Sequence, residues 1–279
     1  MIYQNNHLLI NNITILFFLL CFSVLFLYRY FRAGRSSVFY SKNIAEYDNN
    51  YKNAENVRIF QVCMGFLFFI FHSVSFMGSW NTVAFFGSSF IISLILEIVG
   101  TNKGYVFGKY SYNETLCPGP FVGNVPILIA LSWSGLIYMS LSCSNLILGN
   151  EITGVFPYSV IILTSSFITI LDVILDPIAV DEGRWKWDLP GKYYGVPLQN
   201  FIGWFFNTTV ILLLYNLIAE QDVPVESLSY YVKYAPAFLF IILPLIAARP
   251  CFERNLKSAG IIGISFTLFL IVASITSPL

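Results

Sequence analysis

Residues 184–205 read RWKWDLPGKYYGVPLQNFIGWF, a run of aromatic, basic and amide side chains set between two long apolar stretches. A solvent loop has no need of so many aromatics, so the stretch reads as the mouth of a helix at a membrane surface, where side chains are gripping something or keeping it dry. The rest of the chain supports that setting. Of 279 residues 57% are hydrophobic and 11% charged, and the mean hydropathy is +0.71, far from the balance of a soluble domain. The sequence is that of an integral membrane protein. Its formal net charge of zero gives no electrostatic pull toward nucleic acid.

A helix needs about 20 apolar residues to cross a hydrocarbon core. Eight segments qualify, at 10–29, 59–79, 82–99, 124–148, 153–175, 197–218, 234–248 and 258–276, the seventh short and flanked by Pro236 and Pro244. Eight spans place the connections alternately on two sides. Of the 15 Lys and Arg residues, Lys233 alone then falls on the side opposite the rest. Basic residues near span ends stay in the cytoplasm. This predicts a multi-pass protein of the cytoplasmic membrane with both termini outside, a cytoplasmic loop at 32–57, and 184–205 on the cytoplasmic side. No basic residue precedes the first apolar run, which predicts no cleaved signal peptide. The cysteines at 21, 63, 117, 143 and 251 show no ligand spacing and read as reduced and structural.

A duplication emerges outward from the quoted stretch. Gly183-Arg184-Trp185-Lys186-Trp187 matches Gly108-Lys109-Tyr110-Ser111-Tyr112 as glycine, base, aromatic, any residue, aromatic. Eleven residues before each glycine stands an acid, Asp172 in one copy and Glu97 in the other. After each comes Val-Pro and, seven residues on, a tryptophan: Val125, Pro126 and Trp133, then Val196, Pro197 and Trp204. Matched elements at a period of 71 to 75 residues predict an all-α fold in which a helical hairpin is used twice, at about 82–148 and 153–218. The two copies run in the same sense across the membrane and form a parallel repeat, within a single polytopic domain spanning 1–279. Packed about a common axis, they bring Glu97 and Asp172 to one cavity from opposite walls. Pro126 and Pro197 suit a first helical turn, where a missing N–H is no loss, and Asn124 reads as an N-cap.

Acids inside a span are expensive, roughly 2.5–3.5 kcal/mol for Asp at the centre on translocon scales. Asp172 and Asp176 lie four apart and so share a helix face, with Pro177 expected to end the helix just after them. One reading has these acids at the interface, accepting hydrogen bonds from Lys103, Arg184 or loop amides. The other makes Glu97 and Asp172 functional: a desolvated carboxyl beside a second one can serve as a proton donor. Gln199 and Asn200, in the first turn after Pro197, are placed to hold a water or cap a loop. His72 reads as a hydrogen-bonded packing residue. Tyr110, Tyr112, Trp185, Trp187, Tyr193 and Tyr194 fit either an interfacial aromatic belt or a pocket lining.

At these residues the chain resembles the membrane carotenoid hydratases, the bisanhydrobacterioruberin and γ-carotene 1′,2′-hydratases, within the broader set of carotenoid biosynthesis proteins. The resemblance is carried by Glu97, Gly100 and Gly104 before FGKYSY, by GNVP followed by Trp133, by LDVILDPIAV, and by the two tryptophans ahead of YYGVPLQNFIGW. It covers about residues 60–250, with 172–204 its most specific part. It implies addition of water across the terminal C=C of an acyclic polyene end group, drawn from the bilayer, to give a tertiary alcohol. Such chemistry needs a neutral acid, a placed water and surroundings that tolerate a tertiary cation. Glu97 or Asp172 would be the acid, and the partner carboxylate, with Asp176 or Asn200, would orient the water. The faces of Tyr110, Tyr112, Trp133, Trp185, Trp187, Tyr194 and Trp204 would hold the polyene end and steady the cation. No metal or organic cofactor is called for, and the sequence fixes no oligomeric state. Three rival readings remain open. An acid-initiated cyclase shares the first step. An Mg²⁺-dependent intramembrane prenyltransferase uses Asp-x-x-x-Asp pairs, although no second Asp-rich motif is present. A transporter or polyene-binding protein would also place acids in a membrane cavity.

Overall fold

A computed structural model describes residues 12–20, 22–23, 49–117, 119–152, 154–221 and 230–278. Most of the expected first span, 10–29, and of the loop at 32–57 lies outside them. Helix α1 covers residues 12–20, and α2 runs Asn49–Lys103 with a break at Gly78 (φ 75°, ψ 168°). A conformation with φ that positive is open to glycine and strained for other residues. The break folds the helix back on itself. Phe66 and Phe86 stand with ring centroids 5.5 Å apart, where a straight helix would separate them by about 30 Å. The Ser73 and Thr82 hydroxyls meet at 2.9 Å across the bend. The expected segments 59–79 and 82–99 fall on these two limbs.

Helices α3 (Ile127–Leu148), α4 (Tyr158–Asp181), α5 (Leu198–Ile218), the single turn α6 (Tyr230–Lys233), α7 (Ala235–Glu253) and α8 (Lys257–Ile275) follow. Among the described residues six helices, the folded α2 counted once, are long and apolar enough to cross a membrane. Pro126 and Pro197 are the N-caps of α3 and α5, as their fixed φ suits. Asn124 is not a cap. It sits in the turn between β2 (Phe121–Val122) and β3 (Val125–Pro126) and donates to the Asn102 side chain at 3.0 Å, because Pro126 already occupies the capping position. Gly149, at φ 65°, closes α3 by donating back to Asn145 and Leu146 carbonyls.

Pro177, expected to end its helix, does not. α4 passes through Pro177 to Asp181. Proline deprives the carbonyl four residues back of its donor, and here the Tyr193 hydroxyl donates to that Val173 carbonyl at 3.2 Å. α7 likewise continues past Pro244 and Pro250 to Glu253, its last turn braced by the Arg249–Glu253 pair at 2.9 Å.

At one end of the bundle the connections after α2 and α4 fold over the helices as a cap. Strand β1 (Tyr110–Tyr112) pairs antiparallel with β4 (Trp185–Trp187), in the register Tyr110 to Trp187, Ser111 to Lys186 and Tyr112 to Trp185. The Trp187 indole N–H donates to Phe107 O at 2.9 Å and pins the two connections together. At the other end His72 is fully buried as a packing residue, its Nδ1 2.7 Å from the Tyr138 hydroxyl and its Nε2 against the Val232 and Lys233 carbonyls. Cys117, Cys143 and Cys251 are buried and Cys63 is exposed, each as a thiol outside any disulfide, and Cys21 lies outside the described residues.

Candidate active site

The second limb of α2 delivers Glu97 to the underside of the cap. Its carboxyl receives donors from three directions. The Trp133 indole N–H reaches Oε1 at 2.8 Å, the Tyr112 hydroxyl reaches Oε2 at 2.8 Å, and the Tyr110 hydroxyl donates to the same oxygen. Burial first, then the neighbouring Glu97, push the Tyr112 phenol well above its ordinary 10.0, so it remains a donor. Gly100 lies one helical turn on, where a Cβ would stand 3.1 Å from Phe107 and 3.2 Å from Tyr110. That close approach lets the Tyr110 ring settle over Glu97.

Helix α4 presents Asp172 and Asp176 on one face, both buried. Asn200, in the first turn of α5, donates its single amide nitrogen to Oδ2 of each, at 2.7 Å in both cases. The carboxylate oxygens therefore lie within twice that distance of one another. Gln199, beside Asn200, points outward and donates to Gly104 O at 3.0 Å, capping the loop. Trp133 and Trp204, at matching positions on α3 and α5, meet with ring centroids 3.9 Å apart. Tyr110 packs on Trp187 at 5.5 Å and Tyr112 edge-on to Trp185 at 5.7 Å.

These groups surround one cavity of about 190 Å³. Glu97, Asp172, Asp176, Tyr110, Tyr112, Trp133, Trp185, Trp187, Asn200 and Trp204 all line it. Tyr194 does not; its hydroxyl accepts the Ser258 backbone N–H at 3.2 Å, at the start of α8. From the acids the cavity extends between the first limb of α2, α3 and α7 along Phe66, Phe69, Met139, Leu239 and Leu243. Sequence reading missed this apolar arm, because its residues look like any other helix interior and belong to no repeated motif. It also passed over Arg58 and Gln61, which line the cavity from the first limb, and gave Arg184 only an interfacial role. Arg184 pairs with Glu182 at 2.8 Å, and Glu182 with Arg254 at 3.1 Å, which ties the cap to the α7–α8 turn. Among the described residues no three His, Cys, Asp or Glu side chains converge to hold a metal ion.

A family model described as carotenoid biosynthesis protein matches residues 57–270, a stretch that takes in every residue lining the cavity. The chain belongs to that family. Within the carotenoid biosynthesis proteins, it is 32% identical over 123 residues to a protein of Haloarcula japonica named bisanhydrobacterioruberin hydratase. The aligned stretch covers 43% of this chain and 40% of that relative, so the chain matches well under two thirds of the relative's length. No solved structure matches.

Proposed function

We propose that the protein is a membrane carotenoid hydratase, which adds water across the terminal C=C of an acyclic polyene end group to form a tertiary alcohol. The observation that carries this reading is the joining of an acidic, aromatic-walled chamber to an apolar arm in one cavity. The arm suits a linear hydrocarbon chain and the chamber suits its end. A carboxyl group protonates the trisubstituted alkene at the carbon that leaves a tertiary cation. Tryptophan and tyrosine faces stabilise that cation, by about 1–2 kcal/mol for a desolvated contact, until water captures it. Family membership and the similarity to a protein named as a hydratase support the same chemistry.

The β1–β4 register supports the parallel repeat. Position for position, Tyr110 corresponds to Trp185 and Tyr112 to Trp187, yet each pairs with the other's counterpart. Exchange of this kind is what a local twofold axis through Ser111 and Lys186 produces, and it makes Trp133 and Trp204 meet across that axis. On the charge distribution of the sequence, the cap and the acids face the cytoplasm.

The test is expression in a cell that accumulates acyclic carotenoids with ψ end groups, followed by mass analysis of the extracted pigments. The expected result is a more polar pigment heavier by one water, absent with the Asp172→Asn variant. A new pigment isomeric with its precursor would instead mark a cyclase. An unchanged pigment profile from the wild-type chain, with the protein present in the membrane, would overturn the enzymatic reading.

A further inference from the structure

The three buried acids of the chamber have different hydrogen-bond surroundings. Glu97 accepts from Trp133, Tyr112 and Tyr110, so both its oxygens are already engaged by the cavity wall. The indole N–H is a donor only. A proton on the other oxygen would point at a tyrosine hydroxyl and away from any bound substrate. Asp172 and Asp176 share one side-chain amide, Asn200, bound to Oδ2 of each; Asp176 also meets the Trp185 indole and faces the Arg184 guanidinium, while Oδ1 of Asp172 is buried with no hydrogen-bond partner among the described residues. Two carboxyl groups held that close repel as anions, and a proton residing on the pair removes the repulsion. Asn200, which binds the pair, stands one turn of α5 before Trp204 and on the same face, so the pair and the Trp133–Trp204 contact line the same cavity.

From this contrast we infer that the Asp172–Asp176 pair, bridged by Asn200, is the proton donor and acceptor of the site, and that Glu97 is a positioning residue that takes no part in proton transfer. The assignment rests on the hydratase reading for its chemistry. One carboxyl of the pair transfers its proton to the olefinic CH of the end group. The π electrons form the new C–H bond, and the adjacent carbon becomes a tertiary cation. The oxygen of a water attacks that carbon, and the proton released from the resulting oxonium returns to the carboxylate of the pair. The sum is addition of H₂O, with the pair restored. Glu97 meanwhile holds the Trp133 indole and the two tyrosines in place, so the aromatic wall is set before the cation forms.

The experiment uses the full chain in membranes supplied with an acyclic ψ-end carotenoid in D₂O, and compares Glu97→Gln, Asp172→Asn and Asp176→Asn with the wild type. Two quantities are read by mass: hydrated product, and deuterium washed into recovered substrate by reversible protonation. Removing an acid–base group lowers rates about 10²–10⁴-fold. The pair variants are therefore expected to lose both product and exchange by at least about 100-fold. Glu97→Gln is expected to slow both by about tenfold while leaving their ratio as in the wild type. Trp133→Phe, which removes a Glu97 partner and keeps every carboxyl, is expected to behave as Glu97→Gln does, and it serves if the latter fails to accumulate. Loss of exchange in Glu97→Gln as complete as in Asp172→Asn, with Trp133→Phe still exchanging, would overturn the assignment. So would full exchange in either pair variant. If the wild-type product is an isomer and not a hydrate, the hydratase reading fails, while the exchange comparison still decides which carboxyl moves the proton.

Discussion

Asn200 has one amide nitrogen for two acids, and that economy makes it the most exposed point of the site to mutation. In Asn200→Leu the two aspartates keep their places on α4 and lose the one amide they share, so that the buried Oδ2 of each gives up a hydrogen bond. Such a loss costs about 1–3 kcal/mol. The expected outcome is a lower unfolding temperature in detergent together with at least a tenfold fall in product, whereas Gln199→Leu, which breaks only an exposed loop contact, should leave product formation close to wild type. A melting curve and a pigment extraction on each variant check this. At this scale the acids were legible in the sequence, since a carboxyl within an apolar helix has to be paired, wet or useful, and Glu97, Asp172 and Asp176 all proved to line one cavity. The aromatics were not separable in the same way. Tyr193 and Tyr194 look alike in composition, yet Tyr193 supports the carbonyl freed by Pro177 and Tyr194 faces α8.

The elements around the site depend on close approaches that only small residues allow. On α5, Gly203 lies against the connection after α2: a Cβ there would stand 2.7 Å from Val106 O and 2.6 Å from the Phe107 ring. Phe107 is also the residue whose carbonyl receives the Trp187 indole. Gly203→Ala is thus expected to push the cap away from α5, reduce product several-fold and lower thermal stability. Gly87→Ala, in the second limb of α2 with nothing within 4 Å of the new methyl, should be neutral or raise stability by up to about 1 kcal/mol from helix propensity. Parallel melting curves and product assays distinguish the two. The starts of α3 and α5 were readable from Pro126 and Pro197, because a proline at a helix start is a local rule. The ends of α4 and α7 were not, because whether a helix survives an internal proline is decided by what meets the orphaned carbonyl, and that partner lies in another part of the chain.

At the scale of the whole molecule, the cavity has two possible ways in: past the cap, or from the side through its apolar arm. The partly exposed residues on its helical side include Val62, Phe66, Ile129 and Leu136, a hydrocarbon surface suited to a substrate dissolved in the bilayer. The cap is instead sewn shut by the β1–β4 ladder, the Trp187–Phe107 hydrogen bond and the backbone bond from Asn113 N to Arg184 O at 2.8 Å. The matched motifs led to the expectation that Glu97 and Asp172 face one cavity, which both line, but gave no hint of the arm, whose walls come from the first limb of α2, α3 and α7. If the polyene enters from the side, locking the cap does no harm. Ser111 and Lys186 are directly opposed in the ladder and both exposed. Cysteines at such a pair lie about 4.5–5.5 Å apart between Cβ atoms, a small adjustment from disulfide geometry. In a Cys63→Ser background, the Ser111→Cys/Lys186→Cys protein is expected to cross-link under mild oxidation and to form product at the same rate before and after, since turnover needs no separation of β1 from β4. A rate that drops on oxidation and recovers with reductant would show that the cap must open, and would move the entrance from the bilayer to the loop face.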